Sequence, residues 1–149
     1  MKGIFHTGIT VSNLDRALEF YRDVLGLEIM VGPTDTIEGD DVSRGIRVPD
    51  AKFRLAVLKA GNSTVELLEY FNPPSSVEKP LPVNNLGAMH VAFQVEHAEA
   101  KMKELEAKGI EFFTPLNVVE DGPLKGWKWV YFQDPDGITL EMIEYNGSA

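Results

Sequence analysis

The chain writes one hairpin twice. Phe53 to Tyr70, FRLAVLKAGNSTVELLEY, and Trp127 to Tyr145, WKWVYFQDPDGITLEMIEY, each join two runs of aromatic and β-branched residues through turn formers. VELLEY and LEMIEY align at an offset of 75 residues, which sets Glu66 on Glu141 and Tyr70 on Tyr145. A carboxylate in so apolar a run is costly to bury unless it is paired or binds a metal.

The segments before the hairpins repeat as well. GIFHTGITV, residues 3–11, reads as a strand carrying His6, and AMHVAFQV, residues 88–95, as a strand carrying His90, 84 residues later. After the first comes an amphipathic helix, NLDRALEFYRDVLG. Ser12 is its expected N-cap, with Asp15 as a capping-box partner. Leu14, Ala17, Leu18, Tyr21, Val24 and Leu25 form its apolar stripe, and Gly26 ends it. The second helix, AEAKMKELEAK, is closed by Gly109. Short strands are expected at 27–31 and 110–113. The nine extra residues of the first half fall in 32–49, a polar stretch expected to be a long loop or lid.

The result is an α+β chain of two tandem βαβββ modules, about 3–71 and 88–146, in a single domain of 149 residues. The stretch 72–87, NPPSSVEKPLPVNNLG, reads as a Pro-rich linker long enough to let both modules pair within one chain. A four-stranded sheet with one helix covers only one of its faces, so two units complete each other.

Composition narrows the function. The formal net charge of −9, with no Lys/Arg cluster, argues against a nucleic-acid partner. There is no cysteine, hence no disulfide framework and no thiolate metal site. No apolar run reaches membrane-spanning length, and the first residues lack a secretory pattern, so a cytosolic protein without a membrane partner is expected. Asn62-Ser63-Thr64 and Asn146-Gly147-Ser148 match a glycosylation pattern by chance on that reading.

Hairpin pairing assigns faces. With Ala60–Ser63 as the turn, Glu66 shares its face with Phe53, Leu55, Val57, Thr64, Leu68 and Tyr70. With Asp134–Gly137 as a four-residue turn, Glu141 is expected to share its face with Lys128, Val130, Phe132, Thr139, Ile143 and Tyr145. Trp127, Trp129 and Tyr131 then point towards the helices. Glu69 and Glu144 occupy the faces opposite Glu66 and Glu141 and are expected to reach solvent.

His6, Glu66, His90 and Glu141 are the polar residues standing at matched places. Two imidazoles and two carboxylates suit Ni, Co, Mn, Fe or Zn with positions left open for substrate.

These residues resemble the vicinal oxygen chelate superfamily, which includes glyoxalase I, methylmalonyl-CoA epimerase, fosfomycin-resistance enzymes, extradiol dioxygenases and bleomycin-resistance proteins. HTGITVSNLDRALEFYRDVLGLE, TVELLEY, HVAFQV and DPDGITLEMIE are similar to that family's ligand-bearing segments. The resemblance implies an open, curved mixed β-barrel around one divalent metal ion, held by His6, Glu66, His90 and Glu141. It also implies a homodimer. Glu66 brings the pattern nearer to glyoxalase I and the epimerases than to the extradiol dioxygenases. A lyase, isomerase or epimerase of that kind uses a metal-site carboxylate, Glu66 or Glu141, to move a proton beside chelated substrate oxygens. The alternatives are a small-molecule-binding, antibiotic-resistance-type protein on the same scaffold and, third, a dioxygenase.

The expected substrate is a small oxygen-rich molecule. Phe53, Leu55, Val130 and Phe132 are expected to line its cavity, Lys128 to meet an anionic group, and Tyr70 and Tyr145 to donate hydrogen bonds at the strand ends.

Overall fold

A computed structural model describes residues 1–145. The chain divides into two compact units, Met1–Glu78 and Lys79–Ala149, and the boundary falls inside the Pro-rich stretch, where residues 73–87 form no strand or helix. The Asn146-Gly147-Ser148 motif lies outside the described residues.

The first unit runs β1 (His6–Thr10), α1 (Leu14–Leu18), β2 (Glu28–Val31), β3 (Ile37–Glu38), α2 (Asp40–Ile46), β4 (Lys52–Ala60) and β5 (Ser63–Asn72). Its sheet has the order β1-β5-β4-β2, with β3 also paired to β4. β1 lies parallel to β5, and β4 and β5 form the antiparallel hairpin. The expected loop at 32–49 therefore contains a short strand and a helix, because Asp40 and Asp41 favour a helix start after Gly39.

α1 continues as a π-helical segment, Glu19–Val24. Its N-cap is Asn13 rather than Ser12: Asn13 Oδ1 accepts from the Arg16 amide at 2.8 Å, while Ser12 Oγ accepts from the Arg16 guanidinium at 2.8 Å. Asn13 is as good a cap as serine and stands one residue nearer the first turn. Gly26 ends the helix at φ 85°, as expected for a left-handed C′ residue. Leu14, Ala17, Leu18, Phe20 and Tyr21 are buried, as are Ala56, Leu58, Val65 and Leu67 on one face of the β4–β5 hairpin. Each large side chain so buried contributes roughly 1.5–3 kcal/mol.

The second unit runs β6 (Val91–Gln94), α3 (Ala98–Ala107), β7 (Asn117–Val118), β8 (Lys128–Gln133) and β9 (Thr139–Glu144). Its sheet order, β6-β9-β8-β7, repeats the first: the His-bearing segment beside the Glu-bearing strand, then its hairpin partner, then a short edge strand. The strand expected at 110–113 is reduced to one bridge, Phe112 to Phe132, and the edge strand lies further on at β7. Each unit is thus a mixed sheet with helix on one face, in line with the α+β reading.

The two hairpins differ in how they turn. β4 and β5 pair Ala60 with Ser63, Val57 with Glu66 and Phe53 with Tyr70, the register expected. β8 and β9 pair Gln133 with Thr139 and Tyr131 with Glu141, one residue away from the register expected. Asp134 explains the slip. Its carboxylate accepts from the amides of Asp136 and Ile138 at 2.9 Å each, and its own amide donates to the Ile138 carbonyl at 3.0 Å. Ile138 is drawn into the loop, and Gly137 takes φ 81°. A slip of one residue exchanges the faces of a strand.

Glu69 and Glu144 also depart from expectation. Both are buried, at 9% and 6% exposure, and both cap helices. The Leu14 amide donates to Glu69 Oε2 at 3.1 Å, and the Ala98 amide donates to Glu144 Oε2 at 2.6 Å. Arg54 bridges Glu69 at 2.8 Å and Asp15 at 2.9 Å. Lys128 bridges Glu144 at 3.0 Å and Glu99 at 2.9 Å. Helix amides and a flanking cation supply what a carboxylate needs in order to leave water.

Candidate functional site

Four strand segments carry the candidate donors. In the first unit His6 opens β1 and Glu66 sits in β5, where parallel pairing sets Gly8 beside Glu66. Residues two apart on a strand share a face, so His6 and Glu66 look the same way. Their side chains meet, His6 Nε2 to Glu66 Oε2 at 3.5 Å. In the second unit Ala92 lies beside Glu141, and His90 precedes β6. His90 Nε2 lies 3.0 Å from Glu141 Oε2. Gly8 and Ala92, the residues beside the two carboxylates, are small and exposed, so that face stays accessible.

Exposure follows one pattern in both pairs. The histidines are the open members, at 42% and 40% side-chain exposure, and the glutamates the sheltered ones, at 19% and 12%. Each pair presents an imidazole nitrogen and a carboxylate oxygen on one sheet face. That chemistry fits two coordination positions of a divalent ion. Among the described residues, no group of three or more His, Asp or Glu side chains comes together to hold a metal. The structure thus joins His6 with Glu66 and His90 with Glu141, and each pair by itself offers two donors.

Around Glu66, the residues expected on its face are on it. Phe53, Leu55, Val57, Leu68 and Tyr70 share its face by register, and the Phe53 and Tyr70 rings lie 5.0 Å apart. Around Glu141 the register replaces half of the predicted set. Val130 and Phe132 pair with Met142 and Leu140 on the opposite face, where all four are buried. Lys128 pairs with Glu144 and is held there by Glu99 and Glu144, which raise its pKa. The shared face that put Lys128, Val130 and Phe132 beside Glu141 does not exist.

Trp129 and Tyr131 take their place. Tyr131 stands directly across from Glu141, and its ring lies 5.2 Å from the His90 ring and 5.4 Å from that of Trp129. Burial, and then the nearby Glu141 carboxylate, push the Tyr131 phenol above its ordinary pKa, so it remains a hydrogen-bond donor at neutral pH. Tyr145 follows β9, and its ring lies 5.1 Å from that of Trp127, tilted by 43°. The sequence signal bearing on Tyr131 is Asp134, an Asx-turn former; the length of the loop it closes is seen only in the fold.

The chain is similar to known proteins along nearly its whole length. It is 34% identical to a 2-epi-5-epi-valiolone epimerase from Actinomyces sp., over 98% of this chain and 81% of that protein. It is 32% identical to the lactoylglutathione lyase of Haemophilus influenzae, over 95% of this chain and 91% of that protein. Among solved structures, a glyoxalase family protein from Enterococcus faecalis superposes with a TM-score of 0.67 at 30% identity, over 96% of this chain and 98% of that one. A glyoxalase family protein from Bacillus cereus gives a TM-score of 0.79 at 25% identity, over 99% and 96%. The family model described as Glyoxalase/Bleomycin resistance protein/Dioxygenase superfamily matches residues 3–142. With that match over both units and the fold above, this chain belongs to the Glyoxalase/Bleomycin resistance protein/Dioxygenase superfamily.

Proposed function

We propose that this protein is a metal-dependent proton-transfer enzyme of the lyase, isomerase or epimerase type. His6, Glu66, His90 and Glu141 are its donors for a divalent ion such as Ni, Co, Zn, Mn or Fe. The observation that carries the reading is a His–Glu pair made twice, at 3.5 and 3.0 Å, on matching strands of two units. A divalent ion held there supplies Lewis acidity to substrate oxygens beside a C–H bond.

The remaining work belongs to side chains. A carboxylate, Glu66 or Glu141, takes the proton from the activated carbon and returns it to a neighbouring carbon or to the other face of the same one. Its partner imidazole holds the carboxylate in place on the open face. Phe53 and Leu55 exclude water from the substrate, and the hydroxyls of Tyr70, Tyr131 and Tyr145 donate hydrogen bonds to it. The relatives named as an epimerase and as a lactoylglutathione lyase support a reaction of this kind, and their names alone do not choose between the two. A homodimer belongs to the same reading and is tested by light scattering.

The deciding experiment is metal analysis of protein purified without chelator, joined to an NMR screen in deuterium oxide. The screen follows C–H exchange in small ketoses, 2-oxo acids and lactoylglutathione, the last taken from the name of a relative. The expected result is about one metal ion per chain and exchange at one carbon of one compound class, both lost on His90→Ala or Glu141→Ala with the fold intact by circular dichroism. A folded protein free of metal that binds small molecules without exchange would overturn the enzyme reading in favour of a binding protein.

A further inference from the structure

Each sheltered glutamate has a second glutamate three residues on, facing the opposite way: Glu69 after Glu66 and Glu144 after Glu141. The second one reaches from its strand to the first amide of a helix. That helix follows the His-bearing segment: α1 after β1, which holds His6, and α3 after β6, which His90 immediately precedes. The bond from Leu14 to Glu69 therefore ties the chain that carries His6 to the strand that carries Glu66, and the bond from Ala98 to Glu144 does the same for His90 and Glu141.

We propose that Glu69 and Glu144 are positioning residues that fix the register between the His-bearing and Glu-bearing strands, and through it the meeting of His6 with Glu66 and of His90 with Glu141. The inference rests on the donor assignment proposed above. β1 and β6 are short, five and four residues, and pair in parallel, the less stable mode per residue. A one-residue slip of β1 or β6 would cost few ladder bonds yet turn the histidine side to the sheet face opposite its glutamate. The second glutamate opposes that slip. In the native register the ladder continues past both strand ends, Val11 amide to Leu68 carbonyl and Val95 amide to Ile143 carbonyl, each at 2.8 Å, and the helix amide then falls on the carboxylate. In a slipped register the helix amide would lose its acceptor, and the buried carboxylate would keep only its cation.

The device is built twice with different cations. Arg54 holds Glu69 and Asp15 in one unit, and Lys128 holds Glu144 and Glu99 in the other. Arginine and lysine differ in geometry. What the two halves share is the carboxylate on the helix amide, the part that bears on register.

The test uses Co²⁺ titration followed by its d–d absorbance, and amide hydrogen exchange on the full chain. Three variants are compared with wild type: Glu144→Ala, Glu144→Gln, and Leu105→Ala, which removes a buried side chain from α3 away from the strand ends. Glu144→Ala is expected to weaken Co²⁺ binding about tenfold, the effect typical of a group that orients a ligand. It is also expected to speed exchange of the Val95 amide about tenfold relative to the amides of the β8–β9 hairpin. Glu144→Gln, which keeps an acceptor oxygen for Ala98, restores both. Leu105→Ala destabilises the unit but leaves Co²⁺ affinity and the relative exchange of Val95 near wild type. Glu69→Ala gives the same result at Val11. If Leu105→Ala weakens Co²⁺ as much as Glu144→Ala does, or if Glu144→Ala leaves the Val95 amide protected, the positioning role is overturned. A wild-type protein that binds no Co²⁺ overturns the donor assignment instead, and the Val95 and Val11 exchange rates still decide the register role.

Discussion

The two units keep one set of features and discard another. Both retain a His–Glu pair, a glutamate on a helix amide, a cation bridging that glutamate to an acid in the first turn of the helix, and the same order of strands. They differ in the hairpin that carries all this. The first has arms of nine and ten residues around Gly61-Asn62 and lines its Glu66 face with Phe53, Leu55 and Val57. The second has arms of six residues around an Asp134–Ile138 loop and lines its Glu141 face with Trp129 and Tyr131. Donors and the groups that orient them tolerate little change in geometry, whereas an apolar lining is set by what it must touch.

Removing a donor is the largest expected break in the symmetry. Alanine at His6, Glu66, His90 or Glu141 should lower metal affinity by more than the 10–100-fold typical of outer partners. Competition with a chromophoric chelator reads the loss. If all four donors serve one ion, variants in either unit fall equally; if each pair serves its own, half the metal survives every single change.

Next in size are the capping glutamates. Glu69→Ala and Glu144→Ala should each cost about 1–3 kcal/mol in urea unfolding, since a buried helix amide loses its acceptor. Equal losses would show that arginine and lysine serve the cap alike; a clearly larger loss at Glu69 would credit the arginine with the difference.

Acid titration sharpens the same point. The Ala98 amide, and then Lys128, hold the Glu144 carboxyl below its ordinary pKa of 4.5. A carboxylate with a depressed folded pKa stabilises the fold above its ordinary pKa, and that share is lost as pH falls through the folded value. The stability advantage of wild type over Glu144→Gln should thus be constant at neutral pH and shrink below about pH 4.5. An advantage unchanged at pH 3 would remove charge from the account of the cap.

The smallest effects separate the two faces of β8. Tyr131→Phe removes one hydroxyl beside Glu141 and should alter kcat/KM while stability stays within about 0.5 kcal/mol. Lys128→Ala should do the reverse, lowering the melting temperature and leaving KM unchanged, because Lys128 is bound to Glu99 and Glu144. A raised KM for an anionic substrate in Lys128→Ala would return that lysine to the site.

Much of this was legible in the residues. The repeated VELLEY and LEMIEY, with His6 and His90 upstream, define two βαβββ units, because period-2 and period-3.6 patterns are local properties of the chain. The Glu66 face was readable too, since a two-residue Gly-Asn turn allows one natural register. Three things were decided by tertiary structure. Asp134 bonds to amides two and four residues ahead, and only the folded loop shows that this moves Tyr131, not Val130, opposite Glu141. The short segment 40–46 became a helix whose pattern is too brief to be read against a polar background. Glu69 and Glu144 read as surface residues because a carboxylate's local signal is its charge. What buries them is a helix amide 55 and 46 residues away along the chain, a partner that exists only once the parallel strands have paired.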